Sequence, residues 1–416
     1  MQNTRIYNVL RYSLIVFPLA FAGIPIYIHA PDYYITNLGL RIETIGFALL
    51  LLRILDAFLD PVIGFLSDNL YFYRQKIIYI GSFFLCIGFW MIFHPINSYV
   101  LLWFSSSIFL CTLGFSLVAI NIQAFGGLWD IPIKQVTAVI SIREAIGLFG
   151  LLVASVTPTV LYYYFKDDNF HILAVILIFV TVISLVFFTK WFNTSAIKKP
   201  ISSPGINIKE SLFMIFNSHI KLFFVVYSLS CLASSIPATL IIFYVRDYLL
   251  AEHLLGVFLL VYFTSGAISM PLWKSLSYKY TCMVAWLLSM IFAFLIFIWA
   301  YFLQPNDIFG FFVICLFSGM AVGANLALPS AIIAEFINSN KHEKYAASYY
   351  SISNFLSKFS LAFASGIALP FLGFMNYQPG VARNDYLFPT IYALLPCFIL
   401  LIAIIILNRL INAKTI

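Results

Sequence analysis

Three charged residues stand about a turn apart in the largely apolar stretch LLRILDAFLDPVIGFLSDN: Arg53, Asp56 and Asp60. Offsets of three and then four residues put all three side chains on one face of a helix. A charged face cannot be turned toward lipid, so these residues are expected to point into a protein interior and to serve a function there. Two carboxylates one turn apart repel each other, and a bound monovalent cation or a shared proton relieves that repulsion. Asp56 and Asp60 are therefore the candidate cation site, with Arg53 as the flanking base. A structural ion pair between Arg53 and one aspartate is the plainer alternative, but it gives the second aspartate no role.

A second deep charge is Lys358, within YYSISNFLSKFSLAFASGIALP. It lies about halfway along an apolar segment, too far from either end to snorkel easily. A carboxylate of the other half, Asp56 or Asp60, is its expected partner; helix-end carbonyls are the alternative. Just beyond the aspartates, Gly64, Asp68, Arg74 and Lys76 form a short charged turn that can latch neighbouring helices, a candidate gating loop.

These residues need a scaffold, and the composition says which kind. Hydrophobic residues make up 62% of the 416 positions and charged residues 9%, against roughly 45–50% and 25% in a soluble domain. The apolar runs approach the ~20 residues that a helix needs to cross a ~30 Å hydrocarbon core. A barrel built from short alternating strands is excluded. Helices are expected at about Tyr12 to His29, Glu43 to Leu66, Ile77 to His94, Val100 to Asn121, Ser141 to Tyr164 and Ile172 to Trp191. A second set is expected at Leu222 to Tyr244, Leu254 to Trp273, Met283 to Phe302, Phe309 to Ile333, Tyr345 to Leu372 and Leu387 to Leu407. The expected fold is thus all-α, with twelve transmembrane helices in two six-helix bundles, 1–192 and 221–416, joined by a cytoplasmic linker at 193–220. Two similar halves with short internal connections suit a rocking-bundle transporter, whose substrate binds between the halves at the midplane.

The remaining chemistry-bearing residues do not point to an enzyme. His29, His94, His171, His219, His253 and His342 fall at span ends or in loops, and no cluster suited to catalysis on lipid is found. Cys86, Cys111, Cys231, Cys282, Cys315 and Cys397 have no disulfide or metal spacing and read as small packing residues. No cofactor and no metal beyond the coupling ion is expected. The first apolar segment is too long for a signal-peptide core, lacks a cleavage pattern and reads as a retained span.

Lys and Arg concentrate in alternate connections. Arg5, Arg11, Arg74, Lys76, Lys134, Arg143, Lys190, Lys198, Lys199, Lys209, Lys221, Lys274, Lys279, Lys341, Lys344, Arg409 and Lys414 fall on one side; Arg41, Lys166, Arg246 and Arg383 fall on the other. By the positive-inside bias, both termini are expected in the cytoplasm of a bacterial inner membrane. The net charge of +7 reports that bias rather than nucleic-acid binding.

The segment from Arg53 to Gly64 resembles the R-x-x-D-x-x-x-D-P-x-x-G of the glycoside-pentoside-hexuronide:cation symporter family, the melibiose permease-like branch of the major facilitator superfamily. Further resemblance lies in NIQAFGGLWDIPIKQVTAVISIREAIG, from Asn121 to Gly147, with Arg143 and Glu144 near the expected start of the fifth helix. It extends to Leu328-Pro329 with Glu335, and to Lys344 followed by Lys358. The resemblance implies cation-coupled symport of a small organic solute by alternating access, driven by Na⁺ or H⁺ at Asp56 and Asp60. It makes Lys358 the lysine near that site and Arg143 an arginine at the substrate site. Asn121, Gln123 and Asn354 complete the expected substrate contacts.

Three departures qualify this. Phe17-Pro18-Leu19-Ala20 holds no first-helix acid, and the fourth-helix acid is absent too, leaving Asn121 and Gln123. A neutral sugar needs several buried acceptors, so anionic or largely apolar solutes are expected to bind better than galactosides. The second-half turn, from Trp273 to Cys282, also lacks the glycine and bases of its counterpart. The expected partners are a small-molecule substrate and the lipid bilayer, with the chain a monomer. An uncoupled facilitator, an exporter of amphipathic compounds or lipids, and a non-transporting sensor that keeps the fold are the alternatives.

Overall fold

The structure is a computed structural model that describes residues 6–96, 98–165, 169–199, 220–374 and 387–413. Arg5, Lys166, Arg383, Lys414 and residues 200–219 of the expected linker lie outside the described residues. Twelve long helical segments follow one another among those described. In the first half they are α1 (Ile6–Thr36), α2 (Ile42–Asn69), α3 (Arg74–Ile92), α4 (Val100–Leu128), α5 (Ile133–Phe165) and α6 (Asn169–Thr194). The second half has α7 (Ile220–Tyr248), α8 (Leu255–Lys279), α9 (Cys282–Phe297), α10 (Ile308–Ser339), α11 (Ala346–Phe374) and α12 (Leu395–Asn412). Ten of the helices among the described residues are long and apolar enough to cross a membrane. The other two are α2 and α11, which carry the charges that singled them out in the sequence. Helices suit such a setting because they satisfy backbone N–H and C=O groups within the segment.

Several helices are longer than their apolar runs. α4 continues through Asn121 to Leu128, and α5 begins at Ile133 rather than near Ser141. Arg143 is consequently an interior helical residue rather than a base near a helix start. Single π-helical turns interrupt α1 at Pro25–His29 and α7 at Tyr244–Tyr248, near the same end of the first helix of each half. Another precedes α12 at Thr390–Leu394.

The described residues divide into two compact units, which do not follow chain order alone. One is drawn from Met1–Ser211 and Ile333–Asn354, the other from Leu212–Ile332 and Phe355–Ile416. The end of α10 and the start of α11 thus pack with the first helices. The first unit is centred on Tyr12, Phe125, Phe188 and Trp191. The second is centred on Tyr244, Phe258, Phe311 and Tyr392, with the Tyr244 and Tyr392 rings stacked 3.9 Å apart. Within the first unit, Gly64 of α2 faces Ser351 and the Ala347 carbonyl, and a Cβ at that position would overlap both. Only glycine lets these two helices come so close.

Candidate functional site

The face predicted for α2 is an inward one. Asp60 is 0% exposed and Asp56 7%. Ser116 of α4 donates its hydroxyl to Asp56 Oδ1 at 3.1 Å. Tyr27 of α1 is within electrostatic reach of Asp56, Arg53 and Asp60, and the Arg53 guanidinium lies 4.7 Å from the centre of its ring, a cation–π arrangement. Pro61 stands inside α2 directly after Asp60. It has no N–H, so the Ala57 carbonyl lacks its usual helical donor. Carboxylates and hydroxyls are the kind of oxygen donors that hard cations take.

Two turns further along α2, a second polar cluster forms, and here the structure refines the expectation of a charged loop. Gly64 and Asp68 are helical, Arg74 opens α3, and only Leu70 to Tyr73 separates the two helices. Asp68 and Arg74 form a fully buried ion pair. Arg74 Nε also donates to the Ser67 carbonyl at 3.1 Å. Asp68 accepts the backbone N–H groups of Ala347 at 2.9 Å and Ser348 at 2.8 Å, and the Ser348 hydroxyl at 2.5 Å. A carboxylate in that position satisfies otherwise orphaned donors at the start of α11 and complements its dipole. Lys76 takes no part in this buried cluster: it is exposed and lies over the Tyr73 ring.

The expected substrate residues are distributed rather than gathered. Asn121 belongs to the cluster just described, donating to Ser67 Oγ at 3.0 Å and to the Leu117 carbonyl at 2.8 Å. Its Oδ1 and the Oε1 of Gln123 are buried acceptors without a hydrogen-bond partner. Arg143, 1% exposed, is held by Glu144 at 2.5 Å and by the Tyr12 hydroxyl at 3.4 Å. Tyr12 in turn donates to the Ile122 carbonyl at 2.6 Å and packs its ring 4.9 Å from Trp191 and 5.5 Å from Trp129. Asn354 and Lys358 are half-buried on α11, one turn apart.

The sequence alone did not indicate Tyr12, Tyr27, Ser67, Ser116 or Ser348 as partners. Ser67 carried one usable signal, its place beside Asp68; the others depend on how each helix is rotated.

Ten helices long and apolar enough to cross a membrane among the described residues, with two buried carboxylates on α2, fit a polytopic membrane protein. The chain belongs to the family described as MFS/sugar transport protein, which it matches over residues 12–411. Among solved structures it resembles a bacterial homologue of the iron transporter ferroportin in an outward-facing state. That match has a TM-score of 0.77 at 15% identity and covers 97% of this chain and 98% of the other. It also resembles the major facilitator transporter FucP in the outward conformation, with a TM-score of 0.71 at 13% identity, covering 98% of each chain. A substituted form of the E. coli fucose:proton symporter FucP gives 0.70 at 14% identity over 97% and 98%. At these identities the likeness establishes the fold. No curated protein matches the sequence.

Proposed function

We propose that this membrane transporter is a symporter that couples uptake of a small organic solute to Na⁺ or H⁺ at Asp56 and Asp60. The observation that carries this is the burial of two carboxylates one turn apart on α2, with Ser116 on one of them and Pro61 directly after the other. Such a pair is costly in a bilayer and is kept where an ion or proton binds. A fucose:proton symporter among the structural neighbours fits proton coupling on this scaffold.

The solute binds near Asn121, Gln123, Arg143 and Asn354, and Lys358 is the base that responds to occupancy of the carboxylates. The buried free acceptors of Asn121 and Gln123 offer a ligand something to donate to. Arg143 is already charge-compensated by Glu144, so an anionic substrate has to share the guanidinium with that carboxylate. The chain works as a monomer in a bacterial inner membrane with both termini cytoplasmic, which puts the Asp68–Arg74 cluster on the cytoplasmic side.

The test is thermal unfolding of purified protein against a panel of neutral glycosides, hexuronates and apolar anions, with and without Na⁺ and at two pH values. A ligand stabilises the state that it binds. Stabilisation by Na⁺ or by low pH that is lost in Asp56→Asn and Asp60→Asn supports the reading. Solute-induced stabilisation indifferent to ion, pH and both substitutions points to an uncoupled facilitator instead.

A further inference from the structure

The sequence scattered six histidines over span ends and loops, but folding brings two of them together at the end of the first unit away from Arg74. His94 follows α3 and His171 lies in the first turn of α6, and His94 Nε2 is 3.0 Å from His171 Nδ1. The protons on these rings can be assigned. His94 Nδ1 is 2.8 Å from the Trp90 carbonyl, and a carbonyl only accepts, so Nδ1 carries the hydrogen. His94 Nε2 is then bare and accepts from His171 Nδ1–H. The His94 ring is also stacked on Trp90, with centroids 4.0 Å apart and planes 10° from parallel. Beneath it, Phe93 and Phe170 stack at 4.7 Å and tie the same two helix ends together.

We propose that His94 and His171 form a site for a borderline transition-metal cation such as Zn²⁺, Ni²⁺ or Cu²⁺, clipping the end of α3 to the start of α6. A ligating histidine characteristically donates its other N–H to a carbonyl, which fixes its tautomer and orientation; His94 is already held that way by Trp90. Metal–nitrogen bonds of about 2.0–2.1 Å place two ligand atoms roughly 3 Å apart, close to the observed spacing. Binding needs no net proton release. His171 moves its Nδ1 proton to its own Nε2, so both ligands stay neutral, and a rotation of the two rings turns the bare nitrogens toward a metal beside the line that joins them. The pair is exposed to solvent, and water fills the remaining positions. Imidazole selects these metals over Mg²⁺ or Ca²⁺. Both helices belong to one compact unit, so the clip stabilises that unit without tying it to the other.

The experiment uses tag-free full-length protein in detergent. Calorimetric titration and thermal unfolding with Zn²⁺ and Ni²⁺ are expected to show saturable binding and a higher Tm, with no response to Mg²⁺. The response is retained in His253→Gln and lost in His94→Gln and in His171→Gln. Electron paramagnetic resonance of the Cu²⁺-loaded native protein is expected to show couplings from two imidazole nitrogens, which reports the ligands without any substitution that could unfold the chain. Zn²⁺ affinity unchanged in both variants, or a copper spectrum without two nitrogen couplings, overturns the site.

Discussion

The second helix of each half contains an interior proline, and the two prolines stand in opposite chemical settings. In α2 the residue before Pro61 is Asp60; in α8 the residue before Pro271 is Met270. Both are buried. The turns that follow differ in the same sense. The α2–α3 turn is closed by a buried Asp68–Arg74 pair, whereas before the α8–α9 turn the last residues of α8 place Lys274 and Lys279 over Tyr278 and Tyr280, and Thr281 caps α9, its hydroxyl accepting from Val284 N–H at 3.2 Å. The first-half turn has taken on ionisable groups with long-range partners, and the second-half turn is held by aromatic packing and a local cap. On this comparison the cation site belongs to the first half, and changes in the second half away from Asn354 and Lys358 should act on stability alone.

The sharpest way to break the comparison is to neutralise the acids. Asp60→Asn and Asp56→Asn are expected to abolish gradient-driven accumulation in proteoliposomes while leaving the protein folded, and solute counterflow, which needs no ion gradient, is expected to persist. Full accumulation by both single variants would remove the cation site from α2. In contrast, Met270→Leu in the corresponding helix is expected to leave ion dependence unchanged.

The next effect in size concerns stability. Arg74→Ala leaves Asp68 buried without its cation, and breaking one partner of a buried pair costs about 3–5 kcal/mol. The variant should show a strongly lowered Tm, and the added substitution Asp68→Asn should recover part of it, because the uncompensated charge is then gone. A Tm within a degree or two of the native value would mean that the cluster is not held by this pair.

A smaller loss is expected in the second half, at Asn325. Its Oδ1 accepts from Ser230 at 2.9 Å and from Trp286 Nε1 at 3.1 Å, joining α7 and α9 to α10. Asn325→Leu strands two buried donors, each worth roughly 1–3 kcal/mol, and should lower Tm while leaving the ratio of uptake with and without Na⁺ unaltered. A changed ion ratio would show that coupling reaches beyond the first half.

How much of this was legible beforehand follows from what each feature depends on. The twelve helices could be read from apolar runs because lipid imposes that pattern residue by residue. The inward face of α2 could be read because Arg53, Asp56 and Asp60 share a helical spacing. The length of α4 could not: Asn121, Gln123 and the glycines that follow look like a loop, yet Asn121 donates to Leu117 one turn earlier and the helix runs on. A separate misjudgement, of where α5 starts, made Arg143 look closer to a helix start than it is. Partnerships such as Asp68 with Ala347 and Ser348 join residues about 280 positions apart, and nothing local in either segment announces the other. Ser116 and Tyr12 were hidden for a related reason, since their roles depend on helix rotation and packing rather than on residue type.

The smallest expected effect tests the local character of the second half most directly. Thr281 sits in an extended conformation at the N-cap of α9, and its side chain satisfies one of the backbone donors that every helix start leaves open. Replacing a threonine cap by alanine typically costs about 0.5–2 kcal/mol. Thr281→Ala should therefore lower Tm slightly, whereas Thr281→Ser, which keeps the accepting oxygen, should be near native. If the turn is held locally, as its lack of acids and its tyrosine-covered lysines imply, neither variant alters transport rate or ion dependence. Were Thr281→Ala instead to change the transport rate as strongly as a disruption of Asp68 does, the α8–α9 turn would be a latch in its own right. The contrast between the halves would then lie in the chemistry of their turns and not in what the turns do.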